Sequence, residues 1–162
     1  MTIAVGETFP NEILMLLNAD GSKTLEAKEY FGGRTVVVFG LPGAFTPTCH
    51  KNHLPGFLAN MDKFKEKGVD AIAMTSVNDP FVLGAWAQAT GAAGKIDFIA
   101  DGSAVLAKAL GLDLDLTERG MGVRSKRYSM LVKDGVIKEI NIEPSPGVAD
   151  LSGAEHILGQ IK

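Results

Sequence analysis

Cysteine occurs once in 162 residues, tryptophan once and tyrosine twice. A single cysteine cannot close a disulfide within the chain, so a disulfide-stapled secreted fold is excluded. It also excludes a Cys-x-x-Cys redox pair and a cysteine-rich zinc site. Positive charge is in short supply: 16 Lys and Arg against 19 Asp and Glu leave a net charge of −3. No polybasic tract stands out, and a nucleic-acid partner is not expected. No apolar run approaches the ~20 residues that a membrane helix needs, and no membrane association is expected. The opening, MTIAVGETFPNEILML, lacks a basic segment followed by an apolar core and a small-residue cleavage site. No secretory signal is expected, and the reducing cytoplasm is the expected compartment.

Hydrophobic residues make up 46% of the chain and charged residues 22%, ordinary for a soluble globular protein. The length suits one domain over residues 1–162, and no repeat or low-complexity linker divides it. TVVVFG (35–40) is β-branched and continuous, the pattern of a strand buried on both faces. CHKNHLPGFLANMDKFKEKG (49–68) is rich in helix formers and stops at Lys-Gly, with a break expected at Pro55. VDAIAMTSV (69–77) reads as a second strand, and Asn78 or Asp79 caps a helix that starts with Pro80. KIDFIAD (95–101) is a third strand, and SAVLAKALG (103–111) a short helix closed by Gly111. RYSMLVKDGVIKEINIE (127–143) alternates around Asp-Gly, a hairpin signal, and NEILMLLNADGSKTLEAKEYFGG forms an earlier edge hairpin at Asp20-Gly21. Ser152 is the expected cap of an amphipathic tail helix. Alternating β and α units predict an α/β fold: a mixed, mostly parallel central sheet with helices on both faces.

The one cysteine lies in LPGAFTPTCHKNHLPGF (41–57), directly after the first buried strand. In α/β sheets, ligands gather where the strands end. A helix starting near Thr48 puts Cys49 in its first turn, where free amides and the helix dipole favour an anion. A thiol there tends toward the reactive thiolate, below the free value of about 8.5. Thr46 can set a hydroxyl beside the sulfur, Pro42 and Pro47 stiffen the approach, and Gly43 admits a close ligand. Against this, a lone cysteine is more often a small buried hydrophobe than a nucleophile.

PGAFTPTCHKNHLPGF resembles the active-site segment of the peroxiredoxins, whose signature is Pro-x-x-x-Thr-x-x-Cys. Pro42, Thr46 and Cys49 match at the right spacing. GAFTP and HLPGF are similar to the atypical type II, or peroxiredoxin-5, subfamily. SVNDPFVLGAW, ADGS, GLDLDL and GMGVRSKRYSMLVKDGVI resemble the same subfamily in the same order, so the likeness spans nearly the whole chain.

The resemblance implies a thioredoxin-like fold and reduction of hydrogen peroxide and alkyl hydroperoxides without metal or haem. It implies that Cys49 attacks the peroxide and becomes a sulfenic acid. It assigns Thr46 and nearby amides to the developing oxyanion and a cation on the facing strand to Arg124 in GVRSKRY, and it counts the signature proline, Pro42, in the same catalytic set. Arg127 is the nearer rival and Arg119 the more distant; for both, a solvated surface position is expected. His53 lies four residues after Cys49, so a cysteine–histidine pair comes into view, but a packed structural histidine is the stronger expectation. His50 and His156 receive no role, and Trp86 and Phe81 are read as core or interface packing.

Subfamily relatives with a second, resolving cysteine carry it shortly before SVNDP or near the C-terminus; here Met74 stands at the first place and GVADLSGAE holds no cysteine. The expectation is therefore a one-cysteine mechanism. The sulfenic acid is reduced by an external thiol, such as glutathione with glutaredoxin, or by reduced thioredoxin. Over-oxidation to sulfinic acid is expected under excess peroxide. A homodimer is the expected assembly. The alternative function is a peroxide-sensing signalling protein that uses the same cysteine.

Overall fold

A computed structural model describes all 162 residues. Nine strands and six helices run in the order β1 (Ile13–Asn18), β2 (Gly21–Glu26), α1 (Ala27–Phe31), β3 (Thr35–Leu41), α2 (Leu54–Ala59), α3 (Met61–Glu66), β4 (Ala71–Ser76), α4 (Pro80–Thr90), β5 (Asp97–Ala100), α5 (Val105–Leu110), β6 (Asp113–Leu116), β7 (Gly122–Ser125), β8 (Tyr128–Lys133), β9 (Val136–Ile142) and α6 (Ala154–Gln160). A helical turn at Cys49–His53 precedes α2.

Seven strands form one sheet in the order β2-β1-β5-β4-β3-β8-β9. The expected mixed sheet is present, but parallel pairing is its minority. Only β3–β4 and β4–β5 are parallel; β1–β2, β1–β5, β3–β8 and β8–β9 are antiparallel. The reason is that each hairpin joins the sheet beside a parallel strand, so the two helix-linked crossovers stay at the centre. β6 and β7 make a separate two-stranded ribbon, which the sequence reading did not anticipate.

β3 shows why the sheet carries helices on both faces. Val37, Phe39 and Leu41 point into one core with Phe57, Phe64, Leu83, Trp86 and Ile157, from α2, α3, α4 and α6. Val36 and Val38 point into the other, with Tyr30, Phe31, Leu106 and Leu110 from α1 and α5. Side chains alternate across a strand, so one apolar run serves two cores. Gly40 lies opposite Tyr128 on β8. A Cβ at Gly40 would stand 2.2 Å from the tyrosine ring, so only glycine lets the ring lie across the strand.

Local signals hold at several ends. Asp79 accepts from Val82 N at 2.8 Å with Pro80 at the first helical position. Asp134 and Gly135 both have positive φ, 48° and 80°, as the two-residue hairpin between β8 and β9 requires. At the tail Gly153, not Ser152, precedes α6, and the buried Ser152 hydroxyl donates to Glu143 instead.

Candidate active site

β3 is buried from Val36 to Leu41 and delivers the chain to the loop at Pro42–Thr46. Helical turns resume at Pro47, and His50 N donates to Thr46 O at 2.9 Å. Cys49 therefore lies in the first turn, as the sequence indicates. Cys49–His53 form a wide π turn, closed by Leu54 N reaching back to Cys49 O. Pro55 accounts for its place: it has no N–H to give, and its ring conflicts with the carbonyl four residues back. A widened turn absorbs that mismatch, and such turns concentrate at functional sites. Within the loop, Phe45 holds a left-handed φ of 63°, a conformation unfavourable for a bulky residue.

The Cys49 sulfur has no exposed surface (0%) and accepts a hydrogen bond from Arg127 Nη2 at 3.0 Å. Arg127 is itself buried, at 2% exposure. Its Nη1 donates to His53 Nδ1 at 3.0 Å, and its Nε donates to the Pro146 carbonyl at 2.9 Å. His53 Nε2 donates in turn to the Ser152 carbonyl at 2.9 Å. That bond fixes the tautomer: Nε2 carries the proton and Nδ1 accepts. Burial, and then the charge of Arg127, hold His53 down at about 3 against an ordinary 6.5, with the Ser152 carbonyl opposing, so the ring is neutral. Phe39 and Phe57 enclose it at ring distances of 5.0 and 5.7 Å.

This arrangement corrects the assignment of the cation. The guanidinium on the sulfur belongs to Arg127, not Arg124, and it is interior rather than solvated. Arg124 donates through Nε to Met121 O at 2.8 Å and through Nη1 to Pro42 O at 3.4 Å. It lies along the Pro42-Gly43 backbone, where a Cβ on Gly43 would meet its Nη1 at 2.8 Å. Arg119 is exposed. The one ion pair within 4.0 Å is Lys28–Glu26, at 3.7 Å; Glu143 lines a cavity with Arg127, but no carboxylate pairs with Arg127 or Arg124 at that distance.

Pro42 and Gly43 are buried in the wall of the site. The Thr46 hydroxyl donates to Gly43 O at 2.7 Å; its proton is thus committed, and its lone pairs remain free to accept. His53 is the buried histidine expected of a structural role, but its partner is Arg127 rather than the sulfur. His50, which received no role, accepts from Trp86 Nε1 at 2.8 Å and stacks with Phe45 at 5.7 Å. Trp86 is core, as expected, whereas Phe81 is 86% exposed. His156 lines a cleft of about 380 Å³ beside α2 and α6, into which His53 also faces.

The sequence reading missed residues 143–152. The carbonyls of Pro146, Gly147 and Ser152 accept from Arg127, Thr48 and His53 respectively. The segment is clasped by Glu143, whose Oε2 accepts from both Ser152 N and Ser152 Oγ at 2.7 Å. The one available signal was Glu143 itself, a charge closing the alternating strand INIE.

Known proteins resemble the chain over nearly its whole length. The Redoxin family model matches residues 4–158. The chain is 45% identical over 159 residues to peroxiredoxin-2C of Oryza sativa subsp. japonica, covering 96% of each. It is similar to the crystal structure of reduced Prx3 from Vibrio vulnificus in complex with hydrogen peroxide, at 44% identity, TM-score 0.92, and 99% and 100% of the two chains. It is also similar to peroxiredoxin 5 from Alvinella pompejana, at 34% identity, TM-score 0.85, and 98% and 97% coverage.

Proposed function

The chain belongs to the redoxin family and is a peroxiredoxin, a thiol-dependent peroxidase, and on that premise we propose how its residues divide the reaction and what completes it. The observation that carries the reading is the buried Arg127–Cys49 contact at 3.0 Å. The guanidinium has no carboxylate within ion-pair distance and sets its positive charge against the sulfur. The thiolate attacks one peroxide oxygen, forming the S–O bond as the O–O bond breaks. The other oxygen leaves with the electron pair and takes a proton to become water or an alcohol. Three of the five Arg127 donors are engaged by Cys49, His53 and Pro146. Two remain for the oxygen on which charge develops. The lone pairs of Thr46 accept from the peroxide's own O–H and orient it.

The product is a Cys49 sulfenic acid, and the chain holds no second thiol to condense with it. We assign the next two steps to external thiols, glutathione with glutaredoxin or reduced thioredoxin, within a reducing compartment such as the cytoplasm. The first thiol displaces water to give a mixed disulfide; the second releases the Cys49 thiol and carries away a disulfide. The sulfur has no exposed surface, so local movement around it must admit first the peroxide and then the thiol. We also propose a homodimer through the apolar rim of the site. Phe45 is 52% exposed and Phe81 86%, and Ala44 beside Phe45 donates to Asn78, three residues before Phe81.

The test is peroxide consumption by wild type and Cys49→Ser with glutathione/glutaredoxin and with thioredoxin. Turnover should need Cys49 and one of these donors. Rapid multiple turnover without added thiol, or by Cys49→Ser, would overturn the reading.

A further inference from the structure

We propose that His53 is a positioning residue for Arg127: as a neutral acceptor it aims the guanidinium at Cys49 without neutralising it. This rests on the peroxidase reading above and deepens it. A buried arginine is ordinarily held by a carboxylate, which supplies geometry and cancels charge together. Here no carboxylate lies within ion-pair distance of Arg127. Its three engaged donors end on a backbone carbonyl, an imidazole nitrogen and the sulfur. The sulfur is thus the one partner able to carry a full negative charge, and the cation is reserved for it.

An imidazole suits this task only in one state. It must be unprotonated at Nδ1, or it would repel the guanidinium and offer no lone pair. The Ser152 carbonyl secures this by taking the proton on Nε2. His53 touches Arg127, the Ser152 carbonyl, and the rings of Phe39 and Phe57, and it lines a cleft with Asp150, Glu155 and His156. No acid bonds to the ring, because its two nitrogens are taken by Arg127 and Ser152. The π turn places His53, four residues after Cys49, beside the arginine instead of the sulfur.

Three substitutions separate acceptor from charge. Asparagine and aspartate both place an oxygen near the Nδ1 position, one neutral and one charged; leucine places none. All three give up the Ser152 bond and the ring packing. The readout is the stopped-flow rate of Cys49 oxidation by hydrogen peroxide at pH 7. His53→Asn should retain the most activity. His53→Leu should lose about tenfold more, because the guanidinium is no longer aimed. His53→Asp should lose at least about tenfold relative to asparagine, because its carboxylate competes with the sulfur for the cation. Equal rates for asparagine and leucine, or for asparagine and aspartate, would overturn the proposal. Folding is checked by circular dichroism. Nitrogen-15 NMR of wild-type His53 gives a variant-free check: a neutral ring protonated at Nε2 is expected throughout pH 6–8, and an imidazolium or a proton on Nδ1 would overturn the proposal. Wild type that is inert to peroxide would instead sink the peroxidase reading, leaving the NMR result to stand alone.

Discussion

Replacing Arg127 with glutamine removes one charge while keeping a polar side chain of moderate length. At 3.0 Å and an effective dielectric of about 20, a unit charge pair attracts by about 5 kcal/mol. The guanidinium spreads its charge over three nitrogens, and neighbours relax when it is lost, so about 3–4 kcal/mol is a sounder figure for a buried pair. With about 1.4 kcal/mol per tenfold, oxidation of Cys49 by hydrogen peroxide should slow by about two to three orders of magnitude at neutral pH. The single tryptophan offers the signal: Trp86 bonds to His50, next to Cys49 in the chain. Stopped-flow fluorescence after mixing with peroxide reads the rate directly. Arg124→Gln serves as the comparison, and its loss should be far smaller because its contacts are with Met121 and Pro42. A rate for Arg127→Gln within threefold of wild type would refute the reasoning. So would a larger loss for Arg124→Gln.

Other outcomes follow from the same contacts. Gly40→Ala forces a Cβ to within 2.2 Å of the Tyr128 ring; denaturant unfolding should show a loss of at least about 1–3 kcal/mol. Tyr128→Phe should be neutral or up to about 2 kcal/mol more stable, because the buried hydroxyl finds no protein partner. His53 takes up its proton near 6.5 when unfolded and near 3 when folded. Its contribution is therefore fully present above 6.5 and is lost as pH falls toward 3, by up to about 1.4 kcal/mol per pH unit. Denaturant unfolding across pH 7 to 5 should show this slope, and His53→Asn should flatten it.

The apolar run at 35–40, the Asp-Gly hairpin, the Asp79 cap and the first-turn position of Cys49 were legible because each rests on neighbours along the chain. The choice of arginine was not. A continuous strand through 122–133 would place Arg124 and Arg127, three positions apart, on opposite faces. The chain instead ends β7 at Ser125, turns through Lys126 and Arg127, and begins β8 in another sheet. Alternation is reset at that corner, and only the packing decides which guanidinium turns inward. The same holds for the parallel count: crossovers announce themselves by their helices, but the places where hairpins join the sheet are long-range choices. His53 illustrates a further limit. Its spacing from Cys49 was visible; the wide turn that hands it to Arg127 was not.

The segment from Pro146 to Ser152 accepts its hydrogen bonds from Arg127, Thr48 and His53 through main-chain oxygens. Every amino acid supplies that oxygen, so letters at 146–151 can drift while the site persists, provided the Glu143–Ser152 clasp survives. Length is another matter. One residue inserted or deleted would put the wrong carbonyl opposite Arg127 and His53, and a protein tolerant of many spellings here would fail on a single miscount.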